Sequence, residues 1–191
     1  MKRLMWVVLG CMASQWAWAD WALDAKASSV QFVSVKNAAV TEVHHFTQLT
    51  GAMNDAGEAT LNIDLASVET GIAIRNERMQ KMLFNTAKFA SAQVAAKVDL
   101  KALALKPGEF LDIDQPLTLT LHGTSKTLSA RCRVTALAGG GYSVVSLAPV
   151  LVQAADFGLA AGVQALQAVA KLSSIATQVP VQVALVYRPN A

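Results

Sequence analysis

Glu42, His44 and His45 stand together in Thr41-Glu42-Val43-His44-His45-Phe46, where imidazoles beside a carboxylate could hold a metal ion or move a proton. The segment reads as a strand, and successive strand side chains point to opposite faces. His44 and His45 therefore cannot chelate one ion together. Glu42 with His44 offers two ligands where a protein site takes three or four. The expectation is a pair on the surface or lining a mouth, with no metal. Cys132 lies between Arg131 and Arg133, and flanking cations can lower a thiol pKa enough to make a nucleophile. On a strand both arginines face away from it, which leaves an inward-facing small hydrophobe. Asp112 and Asp114 share one strand face, but without a positioned partner they read as a solvated edge rather than an acid and base pair. His122, before Gly123, reads as a strand-end residue. The chain has no G-x-S-x-G elbow, H-E-x-x-H pair, phosphate-cradling loop or dinucleotide fingerprint. Gly139-Gly140-Gly141 lacks the following Lys-Ser/Thr and helix, and reads as a hairpin turn. These residues point to no catalytic group, no cofactor and no metal.

The elements that would position any site are mostly strands. Period-2 alternation recurs at Val30 and Phe32, at Leu61, Ile63 and Leu65, and at Val94, Ala96, Val98 and Leu100. It returns at Leu117, Leu119 and Leu121 and along Val179 to Tyr187, each set apolar on one face only. Turn residues separate the runs at Asn54 to Gly57, Lys106 to Gly108, His122 to Lys126 and Gly139 to Gly141. Short connections between alternating strands imply antiparallel neighbours. Two windows carry helical spacing instead: Ile74 to Phe84, with Met79, Met82 and Leu83, and Val163 to Leu172, with Leu166, Val169 and Ala170. The expected fold is mainly β, a single antiparallel lipocalin-like barrel of about eight to ten strands with two short helices.

The 191 residues form one domain's worth of chain, 53% hydrophobic and only 15% charged. So few charges exclude a disordered chain or a solvated coiled coil. The formal charge is +3. The basic residues are scattered, with no run and no interleaved aromatics, which argues against nucleic acid. At the start, Met1-Lys2-Arg3 is basic, Leu4 to Met12 is apolar, and Ala17-Trp18-Ala19 supplies small residues at the cleavage positions. Residues 1–19 read as a secretory signal peptide cut after Ala19, with the domain spanning 20–191 in the periplasm. The apolar run is far short of the ~20 residues a bilayer span needs. Val8-Leu9-Gly10-Cys11 offers the alternative of a lipoprotein anchored through Cys11. After cleavage Cys132 is the only cysteine, so no internal disulfide forms and the core alone must stabilise the domain.

The chain resembles the YceI-like family of exported, lipocalin-like proteins. The likeness rests on Trp21-Ala22-Leu23-Asp24, Ser28-Ser29-Val30-Gln31-Phe32 and Ser67-Val68-Glu69-Thr70. It is strongest at Leu83-Phe84-Asn85-Thr86-Ala87-Lys88-Phe89, with further matches at Leu119 to Lys126 and Ala155 to Leu159, in the family's order. The resemblance implies an elongated barrel whose interior takes up a long apolar chain, such as an isoprenoid tail. Arg75-Asn76-Glu77-Arg78-Met79 stands where the family carries Arg-Asp-x-His-Leu, a departure that falls where a head group would be held.

Phe32, Phe46, Met79, Met82, Leu83, Phe84, Phe89, Leu119, Leu121, Phe157 and Leu166 are then the candidates for meeting the tail, with Arg75 and Arg78 for the head group. On the residues alone the same side chains could equally fill a packed interior. The expected function is sequestration of a long-chain apolar ligand, an isoprenoid, quinone or acyl lipid. The alternatives are a ligand-free module for a membrane partner and a lipid-acting enzyme. A transient contact with a membrane or membrane protein, and a homodimer, stay open.

Overall fold

The computed structural model describes residues 20–190, so the leader expected over residues 1–19 and Cys11 lie outside the described residues. Twelve strands form one antiparallel sheet. They are β1 Trp21–Leu23, β2 Ser29–Lys36, β3 Val40–Phe46, β4 Leu49–Met53, β5 Glu58–Asp64, β6 Val68–Glu69, β7 Ser91–Lys97, β8 Phe110–Leu121, β9 Thr124–Ala136, β10 Tyr142–Ser146, β11 Val150–Gln153 and β12 Gln178–Pro189.

The sheet closes through β12. Its C-terminal half pairs with β10 on one side and β1 on the other, as in Leu185 with Val144 and Tyr187 with Leu23. The ring runs β1, β4, β5, β7, β8, β9, β10, β12 and back to β1, eight strands. The N-terminal half of β12 pairs with β11 and with β2, which carries β3 and β6 outward. The expected barrel of about eight to ten strands is therefore a closed ring of eight with four additional strands. A strand too long for one partner, β12, lets the sheet close at one end and stay flared at the other.

Alternation drives the closure. On β9, Ala130, Cys132, Val134 and Ala136 are buried while Arg131 is exposed. Outside, Arg133 makes a two-bond pair with Asp112 at 2.7 and 2.9 Å, and Arg131 lies 3.6 Å from Asp114. The two aspartates are thus cross-strand ion-pair partners on the solvent face, which is the solvated edge their spacing implied. The β8–β9 hairpin turns on His122 and Gly123, both at positive φ (52° and 77°), the mirror-image geometry a two-residue hairpin favours.

Two helices cover the flared end. α1 spans Ala73–Arg78 and continues as wider π-type turns over Met79–Phe84. α2 spans Ala160–Val169, after a 3-10 turn over Ala154–Phe157. The spacing at 163–172 placed the second helix three residues too late, and its end is set by Lys171, whose left-handed backbone (φ 53°) stops the helix. The two helices meet closely at Gly162, where a Cβ would lie 2.8 Å from the Met82 carbonyl oxygen and 2.9 Å from Leu83 Cα.

Candidate ligand-binding cavity

The barrel is hollow. A cavity of about 290 Å³ runs from Tyr142 and Leu103 at the closed end to Phe46, Phe84 and Leu121 under the helices. One water needs only ~10–15 Å³ on the same measure. Small side chains leave the room: Ala92, Ala96, Ala130 and Cys132 occupy inward positions of β7 and β9, where Leu or Phe would fill the axis. The lining is apolar except for Thr60, Gln115, the Cys132 thiol and two tyrosines. The Tyr187 hydroxyl donates to the Thr60 carbonyl at 2.9 Å, tying β12 to β5 across the interior.

Burial pushes the Cys132 thiol up and the Tyr187 phenol up to about 12, so neither is an anion at neutral pH. No base within the lining stands ready to activate them. Among the described residues no cluster of His, Cys, Asp and Glu could hold a metal.

Of the positions expected to meet a tail, Phe32, Phe46, Met79, Leu83, Phe84, Leu119 and Leu121 line this cavity. Met82, Phe89 and Phe157 do not. Met82 is 37% exposed because the chain there winds in π-type turns, so Met79 is followed on its own face by Leu83 and Phe84 rather than by the residue three positions on. Phe89 instead packs on the hairpin turn, its ring 4.2 Å from that of His122. Phe157 is 1% exposed and anchors the 3-10 turn in the core outside the cavity. Leu166 belongs to a second cavity.

That second cavity, about 380 Å³, lies between β2, β3, the two helices and the segment after α2. It shares Phe32, Met79, Leu83, Val163 and Val179 with the first, so the two compartments adjoin at these side chains, and only the second has charged residues in its lining. The polarity comes from the β2–β3 hairpin. In its register Phe32 faces His44 and Ser34 faces Glu42, so one face passes from aromatic to polar within two residues. Glu42 accepts from Lys36 at 2.5 Å and from Arg75 Nη1 at 2.7 Å, and these hydrogen bonds hold its carboxyl below the usual range. His44 is 3% exposed, with Nε2 2.9 Å from the Ser34 hydroxyl. Burial first, and then the Arg75 charge, pull its pKa down. Its 3.8 Å approach to Glu42 is therefore a contact of a neutral ring and not an ion pair. His45 points the other way and is exposed, as strand alternation requires. Arg78 lines the same cavity.

The sequence placed Glu42 and His44 either on the surface or at a mouth and singled out neither Lys36 nor Ser34. The signal was present, since both continue the inward period of Phe32.

No curated protein sequence matches the chain significantly. A solved polyisoprenoid-binding domain from Saccharophagus degradans, implicated in plant cell wall breakdown, is 42% identical, with a TM-score of 0.87 over 90% of this chain and 99% of that one. BcnA from Burkholderia cenocepacia is 19% identical with a TM-score of 0.65, covering 86% of this chain and 98% of its own, and shares the fold. A model of the YceI-like domain matches residues 21–187, and the chain belongs to that family.

Proposed function

We propose that this protein is exported to the periplasm, with its leader removed after Ala19, and there holds a long apolar chain, isoprenoid or acyl, inside the barrel. The observation that carries the reading is the apolar cavity along the barrel axis. The Saccharophagus degradans relative, described as polyisoprenoid-binding, supports the same ligand class. Burial of each methylene contributes about 0.8 kcal/mol, so a long tail needs no strong polar contact. Phe32, Phe46, Met79, Leu83, Phe84, Leu119 and Leu121 would meet the tail, and Arg75 and Arg78 the head group. The interior holds no paired nucleophile and base, which favours carriage over catalysis.

Titration of the mature protein with a fluorescent prenyl probe tests this. Leu121→Trp and Met79→Trp add bulk within the lining and should abolish binding, provided each variant is first shown to fold, since overpacking costs about 1–3 kcal/mol. Folded, blocked variants that bind as the wild type does would overturn the proposal.

A further inference from the structure

The second cavity carries more information than its position. Among the described residues, two buried side-chain polar atoms have no hydrogen-bond partner, His44 Nδ1 and Arg75 Nε. Both belong to side chains that line this cavity. A buried polar atom without a partner is costly, and here two such atoms belong to side chains beside one cavity.

The charges there do not balance. Lys36, Arg75 and Arg78 face the cavity against the single carboxylate of Glu42. That carboxylate is already shared by Lys36 and Arg75. The Arg78 side chain makes no hydrogen bond or ion pair with any described residue. Donors are likewise in surplus. Arg75 Nε–H is donor only, as is the Arg78 guanidinium. When the Ser34 hydroxyl donates to His44 Nε2, the proton of the neutral ring sits on Nδ1, a further donor. Ile72, Ile74, Val169 and Leu172 add apolar surface to the walls.

We propose that this cavity is an oxyanion compartment, taking the phosphate or carboxylate head of an amphiphile whose tail lies in the barrel. The proposal rests on the tail-binding reading above and adds the head-group class. An oxyanion accepts from guanidinium N–H donors and offsets the excess of cations, with Arg78 free for a two-bond contact. A neutral alcohol or quinone accepts hydrogen bonds from these donors but leaves the excess of cations unneutralised.

The test compares geranylgeranyl monophosphate, geranylgeraniol, oleic acid and inorganic phosphate on the mature protein by isothermal titration. The monophosphate should bind at least about tenfold tighter than the alcohol of the same tail, the worth of one charge-assisted hydrogen bond. Inorganic phosphate, lacking a tail, should bind far more weakly than the monophosphate. Oleic acid matching the monophosphate would assign a carboxylate source, and a clear preference for the monophosphate a phosphate source; either supports the oxyanion. Arg75→Gln with Arg78→Gln should erase the preference for the monophosphate over the alcohol. Arg78→Gln alone, which breaks no pair, serves if the double variant does not fold. Equal binding of monophosphate and alcohol by the wild type would overturn this proposal and leave the tail-binding reading standing. Failure of every tailed probe would instead overturn that reading.

Discussion

Arg75 Nη1 lies 2.7 Å from the Glu42 carboxylate, so the helix covering the barrel mouth is fastened to a strand 33 positions earlier in the chain. The same guanidinium reaches the Thr70 carbonyl through Nη2, which fixes the turn leading into α1. One side chain thus sets both the start of the helix and its seat on the β2–β3 hairpin.

Glu42→Gln keeps the size of the side chain and removes its charge. Lys36 and Arg75 would then face each other without their shared carboxylate in a half-buried site. The expected loss is about 1–3 kcal/mol, measured by urea denaturation. An unchanged midpoint would mean the ion pairs hold nothing together.

Acid should weaken the fold in two stages. His44 has a folded pKa below its usual 6.5, because burial opposes its charge. Its neutral form therefore contributes stability that is present above 6.5 and is lost as pH falls below it, where the unfolded chain alone takes the proton. Glu42, held below 4.5 chiefly by the Lys36 hydrogen bond, adds a second loss as pH falls under that value. Thermal melts across pH 4 to 7 should show the first stage in the wild type and lack it in His44→Gln.

Phe157→Ala separates stability from binding. The ring is 1% exposed and lies outside the cavity, so its removal should cost about 3–5 kcal/mol. Tail affinity of the folded protein should not change. Reduced affinity at full folding would place Phe157 against the ligand.

Much of the fold was legible in the residues. Alternation at Leu117, Leu119 and Leu121 gave the faces of β8 correctly, and His122-Gly123 marked its hairpin. Closure was not legible, because it depends on β12 changing partners halfway along, and no local pattern records that. Helical spacing misplaced Met82, since an i, i+3 rule assumes turns of 3.6 residues and the chain there winds wider. The hollow interior was also beyond reach, because an apolar strand face looks the same against protein as against lipid. The polar compartment was half visible: Arg75 and Arg78 stood out on a helix, whereas Lys36 needed the hairpin register to bring it to Glu42.

Gly162→Val should loosen the cover. Its added Cβ meets the Met82 and Leu83 backbone, which cannot step aside as a flexible side chain would. The expected cost is about 1–3 kcal/mol, with faster release of a fluorescent prenyl probe in stopped-flow displacement. Wild-type stability and release would show that α2 does not need to sit so close.

The central claim is that the cavity between Tyr142 and Phe84 is built for a long apolar chain. Mass spectrometry of an organic extract of the purified, exported protein tests it most directly. The account predicts a prenyl or acyl lipid in near-stoichiometric amount from the wild type, and its loss from folded Leu121→Trp. An extract free of any such lipid, together with a wild type that binds no added prenyl chain, would contradict it.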